Sequence, residues 1–298
     1  MRIGAMVPLA YGDTEPGRAP SFAETLAFGK VAESVGLDSI WVFDHLIFRT
    51  PGEPDEGLNE AWTTLSALAP VVPRVELGIL VMCTSFRNAG LLAKMAGTLD
   101  EISQGRLILG LGCGWHEPEY EAFGFPFDHR VGRFEEDLEV TTRLLRGETV
   151  DLDGTWSHYK SAQLLPPPNR QPPILVASKG ERMLDLTARW ADAWNTAWFG
   201  AVDDVTRQRV ADLDAACSRV GRPAGEIRRT VGIRVREPGA PADDGKGTDA
   251  DVAGLADVFD EHAALGFADA IIWSLAKTPA ALDRIAEARR IHRSRRAD

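Results

Sequence analysis

Short runs of apolar residues alternate with longer stretches in which apolar positions recur at helical spacing, and the alternation persists along the whole chain. Runs rich in Val, Ile, Leu and aromatics predict strands, and the longer periodic stretches predict helices. The predicted strands are Arg2 to Val7, Ser39 to Phe43, Val75 to Met82, Arg106 to Leu111, Pro173 to Ala177, Ala193 to Ala197, Arg229 to Val235 and Ala270 to Ser274. Several are nearly continuous in apolar side chains, as parallel strands covered on both faces must be.

The helices carry readable ends. Ser21-Phe-Ala-Glu24 has the form of a capping box, in which the serine hydroxyl and the glutamate each satisfy a free amide of the other. Gly36, Gly105, Gly221 and Gly266 each follow a helical stretch and precede a strand, where a left-handed residue turns the chain back toward the sheet. Two stripes, Leu92, Met95, Leu99 and Ile102, then Phe134, Leu138, Thr141 and Leu145, read as faces packed on a core. Stretches near 113–128, 147–171 and 238–251 break the rhythm, and none is long enough to form a second domain. Residues 1–298 are therefore expected to form a single domain with three insertions. The first follows a strand and belongs at the mouth, where ordered loops serve as lids. The third, rich in Gly, Pro and Asp, is expected to be mobile. Eight strand–helix pairs fit an α/β fold of (β/α)8 type, a TIM barrel, better than a doubly wound sheet, and that fold puts chemistry at the C-terminal strand ends.

Composition narrows the function. The 298 residues are 44% apolar and 26% charged, and 44 acidic against 33 basic side chains give a formal net charge of -11. Such a surface repels polyanions, so nucleic acid is not an expected partner. No apolar run approaches the roughly 20 residues that span a bilayer, and Met1-Arg2-Ile3-Gly4 enters strand-like sequence directly, so a cytoplasmic protein without a membrane partner is expected. Cys83, Cys113 and Cys217 stand far apart, which suits a reducing compartment and provides no metal-ligand spacing. The histidines form neither HxH nor HxxxH, and there is no GxSxG, so no metal is expected and a nucleophile elbow is absent. A small molecule is the expected partner.

The predicted strand ends offer candidates for its chemistry. Strand two ends in Phe43-Asp44-His45, a histidine able to move a proton near neutral pH beside a carboxylate able to orient it or hold the loop. Strand three closes on an apolar wall followed by Thr84, Ser85 and Arg87. Strand four ends in Gly110-Leu-Gly112-Cys-Gly114-Trp115-His116-Glu117-Pro118-Glu119. A dinucleotide-binding turn would continue directly into a helix, so the glycines read instead as clearing space for a flat ring across the mouth. Strand five delivers Ser178-Lys179-Gly180 to a helix start, where free amides and the helix dipole favour an anion. Strand six brings Trp194, Asn195 and Trp198, and strand eight Trp273, indoles that either line a ring pocket or seal the top of the barrel.

Taken in order, Gly36-Leu-Asp-Ser-Ile-Trp-Val-Phe-Asp-His45, Glu60-Ala-Trp-Thr-Thr-Leu65, Leu91-Leu-Ala-Lys-Met95 with Thr98-Leu-Asp100, Gly105 to Gly112, Gly114 to Glu119 and Ala188 to Asn195 resemble the bacterial-luciferase-like superfamily. The resemblance is strongest to its branch of coenzyme F420-dependent oxidoreductases. It implies a TIM barrel holding F420, or alternatively FMN, with the ring over the mouth. His45 matches the family histidine beside the reactive ring edge, with Asp44 as its candidate partner. Leu80-Val81 matches a non-prolyl cis peptide that supports the ring from behind, and Ser178, Lys179 and Gly180 match the loop that receives the phosphate. Gly112, Gly114 and Asn195 complete the expected cofactor contacts. Two departures argue against a sugar phosphate as substrate and for a more apolar pocket: Trp115 stands where sugar-phosphate dehydrogenases carry a proton-donating glutamate, and Arg49 where an aromatic residue is usual.

The expected function is hydride transfer between F420 and a small, largely apolar organic substrate. The alternatives are a reduced-FMN monooxygenase, supplied by a separate reductase, and a non-catalytic flavin-binding barrel. A basic track leading from the phosphate site toward an acidic cofactor tail would favour F420, with Lys179, Arg49 and Arg87 as its candidates. The resemblance also implies a homodimer, formed through helices two and three.

Overall fold

The computed structural model describes residues 1–240 and 247–296. Its central feature is a closed ring of parallel strands: β1 (Arg2–Met6), β2 (Ser39–Val42), β3 (Glu76–Ile79), β4 (Leu107–Gly112), β5 (Ile174–Ala177), β6 (Ala193–Phe199), β7 (Arg228–Val235) and β8 (Asp269–Ser274). Each strand pairs with the next, and β8 returns to β1 with Ala270 opposite Ile3, which closes the barrel. The helices α1 (Phe22–Ser34), α2 (Ala61–Leu68), α3 (Ala89–Ile102), α4 (Arg130–Leu145), α5 (Glu181–Trp190), α6 (Asp204–Val220), α7 (Val252–Ala264) and α8 (Pro279–Ser294) follow the strands in turn. This is the (β/α)8 barrel expected from the sequence. Among the described residues no helix is long and apolar enough to cross a membrane.

The local signals act as their chemistry requires. The Ser21 hydroxyl accepts the Glu24 amide while Glu24 accepts the Ser21 amide at 2.8 Å, opening α1. Gly36, Gly105, Gly221 and Gly266 all have positive φ. The Phe134 stripe is buried, but Ile102, at the end of the α3 stripe, is 45% exposed, because α3 ends where the chain turns back toward β4.

Apolar packing divides in three, the smallest part being a cluster of Cys83, Phe86 and Tyr120. A large outer core lies between ring and helices, and a small inner cluster of Met6, Trp41, Leu80, Ile108, Leu175, Ala193 and Ile271 fills the barrel. Trp41 lies flat against the wall at Gly78, where a Cβ would come within 2.1 Å of the indole. Beneath this cluster Arg2, Glu76, Arg228 and Asp269, from four strands, form a ring of ion pairs that closes the floor.

The third predicted strand is interrupted. It stops at Ile79, and pairing with β4 resumes only at Met82 and Cys83. The intervening Leu80–Val81 peptide is cis, at the position the resemblance implies, and Ala197–Trp198 in β6 is cis as well. The first insertion carries a short helix, Glu117–Phe123, and the second an antiparallel hairpin, Val150–Asp153 with His158–Ala162. That hairpin is pinned to α4 by Glu136, whose carboxylate accepts the amides of Thr155, Trp156 and Ser157. In the third, the expectation of mobility covers residues 241–246, which lie outside those described; Thr248 just beyond them bonds back to Arg236 at 2.8 Å.

Candidate active site

The strand ends and the first insertion meet around His45. The short helix Glu117–Phe123 brings Glu119 beneath the imidazole, and its carboxylate accepts Nδ1–H at 3.0 Å and the Leu46 amide at 2.9 Å. Glu119 is 1% exposed. A buried carboxylate bonded to one ring nitrogen fixes both the orientation and the tautomer of a histidine. His45 Nε2 has no hydrogen-bond partner among the described residues. The ring packs on Phe48 at 4.4 Å between centroids, and the indole of Trp115 meets it edge-on at 5.5 Å. His116 accepts the Arg49 amide at Nε2, and burial, reinforced by His45 and Arg49, holds its ring below its ordinary value. Glu119 was visible in the sequence only as part of a motif. Nothing in its spacing shows that a residue 74 positions away sits under His45.

Asp44 has a different setting. Its carboxylate is fully buried, accepts the Cys83 amide at 3.0 Å, and pairs with Arg87 at 2.7 Å. Arg87 also reaches Glu60, the side-chain cap of α2. Burial opposes the Arg87 charge, but Asp44 and then Glu60 outweigh it and leave the guanidinium above its ordinary value. Asp44 thus ties the end of β2 to the resumed strand after Val81. Arg49 is likewise engaged, with Asp55, both side chains being half exposed. Neither Arg49 nor Arg87 is left over to form an anion track, whereas Lys179 is exposed.

Above the inner cluster, half-buried Phe43, Val81, Ala177, Trp198 and Trp273 form an apolar bowl at the mouth, with Trp198 and Trp273 meeting edge-on at 5.1 Å. Trp194 is not part of it. That indole points outward into the shell, stacks on Phe267 and donates to the Ser178 carbonyl at 3.0 Å, because successive strand residues face opposite sides. The strand-four glycines have their own neighbours: a Cβ at Gly112 would lie 2.5 Å from Val81, and one at Gly114 would lie 1.8 Å from the Tyr120 hydroxyl. The space they clear is taken by the bulge after β3 and by Tyr120. Tyr120 in turn donates to the Cys113 carbonyl and contacts Cys83, whose thiol burial pushes up to about 12.

At the far side of the bowl, α5 begins after Gly180 with no side chain capping it, and a Cβ at Gly180 would meet open space. The free amides of the first turn, with Lys179 beside them, suit an anion. Ser178 itself is committed: its hydroxyl bonds Thr187 at 2.8 Å, and the Thr187 hydroxyl donates to the Met183 carbonyl. Asn195 is buried and donates to Thr230 at 2.8 Å.

The pattern of the luciferase-like monooxygenase family matches residues 1–236. The chain belongs to that family. Among curated relatives, a phthiodiolone/phenolphthiodiolone dimycocerosates ketoreductase of Mycobacterium tuberculosis is 34% identical over 241 residues, 74% of this chain and 60% of the relative. An F420-dependent glucose-6-phosphate dehydrogenase of Microbacterium testaceum is 28% identical over 234 residues, covering 77% and 68%. The luciferase-like chain described here thus spans about 60% of the length of the ketoreductases it matches. Among solved structures, an F420-dependent secondary alcohol dehydrogenase in complex with an F420-acetone adduct superposes with a TM-score of 0.79 at 16% identity, covering 96% of this chain and 97% of that one. The EDTA monooxygenase of a Chelativorans species also gives 0.79, at 15% identity, covering 99% and 94%. At such identities the likeness is one of fold.

Proposed function

We propose that this luciferase-like oxidoreductase transfers a hydride between coenzyme F420 and a small, largely apolar alcohol or carbonyl compound bound over the barrel mouth. The observation that carries the reading is the Glu119–His45 pair at the edge of the bowl, which leaves one imidazole nitrogen without a partner among the described residues. The residues present fit a planar coenzyme with an anionic arm. Val81, Trp198 and Trp273 offer an apolar cradle, and the uncapped start of α5 offers amides for a phosphate. When bound, F420 supplies a ring carbon that carries or accepts the hydride.

The chain's own part is positioning and proton handling. Hydride exchange between an alcohol and a carbonyl is accompanied by a proton on the substrate oxygen, and His45 Nε2 takes it or returns it while Nδ1–H stays on Glu119. Phe48 and Trp115 flank the imidazole with apolar ring faces, which favours an apolar substrate over a sugar phosphate. Two of the similar proteins, a ketoreductase and a secondary alcohol dehydrogenase, are named for alcohol and carbonyl chemistry, and a third for a sugar phosphate. Asp44, engaged by Arg87, serves as a positioning residue for the loop that carries His45.

Fluorescence titration of the purified chain with F420 and with FMN tests the proposal. Micromolar F420 binding, no FMN binding, and loss of F420-linked turnover in His45→Ala are expected. Binding of FMN alone would move the chain to the reduced-flavin monooxygenases. Unchanged turnover in His45→Ala would remove the proton role from His45, and F420 binding with no turnover in wild type or variant would leave a barrel that stores cofactor without using it.

A further inference from the structure

A second cavity, of about 370 Å³, opens between the first turns of α4 and α5 and the Val150–Ala162 hairpin. Phe127, His129, Arg130, Gly132, Trp156 and Arg182 line it. Gly132 lies between the last two: a Cβ there would lie 3.1 Å from Trp156 Nε1 and 3.8 Å from Arg182 Nη2. Arg130 lies over the Phe127 ring at 3.7 Å, and its Nε is buried with no acceptor. Among the described residues neither the Arg130 guanidinium nor the Trp156 indole N–H has a hydrogen-bond partner.

The carboxylates nearby are already engaged. Asp128 holds His129 and Arg133, Glu135 holds Arg182 at 2.6 Å, and Glu136 is occupied by the hairpin amides. What faces the cavity without an acceptor among the described residues is therefore the Arg130 guanidinium and the Trp156 indole N–H, set among ring faces, the complement of an anion, while Arg182 Nη2 already donates to Glu135. The cavity also adjoins the mouth. Arg182 lies in the first turn of α5, whose start is the phosphate site proposed above, and Arg130 is near enough to Cys113, just past the end of β4, to oppose the rise that burial imposes on its thiol.

We infer that this cavity holds the carboxylate-bearing tail that F420 carries beyond its phosphate and that FMN lacks. The inference rests on the coenzyme reading above and assigns the tail to Arg130 and Trp156, with Arg182 held beside them by its pair with Glu135, rather than to Arg49 or Arg87, which line no part of this cavity. Equilibrium titration compares F420 with several glutamates, the same coenzyme with none, and the tail-less ring with its ribityl arm, using wild type, Arg130→Ala/Arg182→Ala and Trp156→Phe. For wild type the glutamate-bearing form is expected to bind about tenfold or more tightly than the form without glutamate, an advantage that fades with added salt. The double variant should lose that advantage while binding the glutamate-free form as wild type does, and Trp156→Phe should lose part of it. Circular dichroism confirms that each variant is folded. Affinity independent of tail length in wild type, or an equal loss for both forms in the double variant, overturns the inference and leaves the coenzyme reading standing. If the variants instead weaken only an acidic substrate, the cavity serves the substrate and the inference falls. If no deazaflavin binds, the coenzyme reading fails and the inference falls with it.

Discussion

Glu119 shares one carboxylate between the His45 ring and the Leu46 amide, so it sets where the ring stands and which nitrogen is free. Glu119→Gln keeps the shape and removes the charge. It is expected to lower kcat about tenfold to a hundredfold while leaving coenzyme affinity nearly unchanged, measured by steady-state kinetics beside a binding titration. Lys277 is a second buried charge at the mouth, with Nζ donating to the Met6 carbonyl at 3.1 Å where β1 ends. Burial pulls its ammonium down to about 8 from the ordinary 10.5, with Asp13 pulling back. Below pH 8 the lysine is protonated in both folded and unfolded chains, and the folded state bears the full burial penalty. Between pH 8 and 10.5 the folded chain releases the proton first, so stability rises with pH across that window, by up to about 3 kcal/mol. Lys277→Met is expected to raise Tm at pH 7, with the advantage shrinking by pH 10 in calorimetric scans.

At the scale of elements, the seam between β3 and β4 sets the back of the bowl. A Cβ at Gly110 would fall 1.8 Å from the Ile79 carbonyl oxygen, and one at Gly112 2.5 Å from a Val81 methyl. Backbone cannot yield as a side chain can. Gly110→Ala should therefore fail to give a cooperatively unfolding protein, whereas Gly112→Ala should fold with a loss of about 1–3 kcal/mol in urea titrations as Val81 is displaced. The strands were readable because each is a short apolar run between clear punctuation, and the α1 cap because its partners lie three residues apart. What escaped the sequence was the pairing of distant groups. Glu119 with His45 and Arg87 with Asp44 depend on how the first insertion and the loop after β3 fold over the strand ends, which no local spacing encodes. The tryptophans divided for a related reason: alternation sends Trp194 outward, and a register shift between Thr196 and Phe199 accompanies the return of Trp198 to the barrel interior.

Across the whole molecule, the barrel is closed at one end by charge and at the other by aromatic rings. The floor pairs Arg228 with Asp269 on neighbouring strands and Arg2 with Glu76, and Arg2 reaches Asp269 at 3.7 Å across the β1–β8 seam, so it registers the closure of the ring. Removing one partner strands the other in a desolvated place, whereas replacing both with apolar groups does not. Asp269→Leu alone is thus expected to be more destabilising than Arg228→Met with Asp269→Leu, by about 2 kcal/mol allowing for the partial exposure of Arg228, and a double-mutant cycle in urea reads the difference.

Trp41, wedged between that floor and the bowl, has a consequence for how such a scaffold diversifies. Its indole is the largest of the seven side chains that fill the interior below the rim. Exchanging it for a slimmer residue would hollow the interior beneath the bowl while leaving the Glu119–His45 contact in place, so the volume under the rim hangs on a single codon.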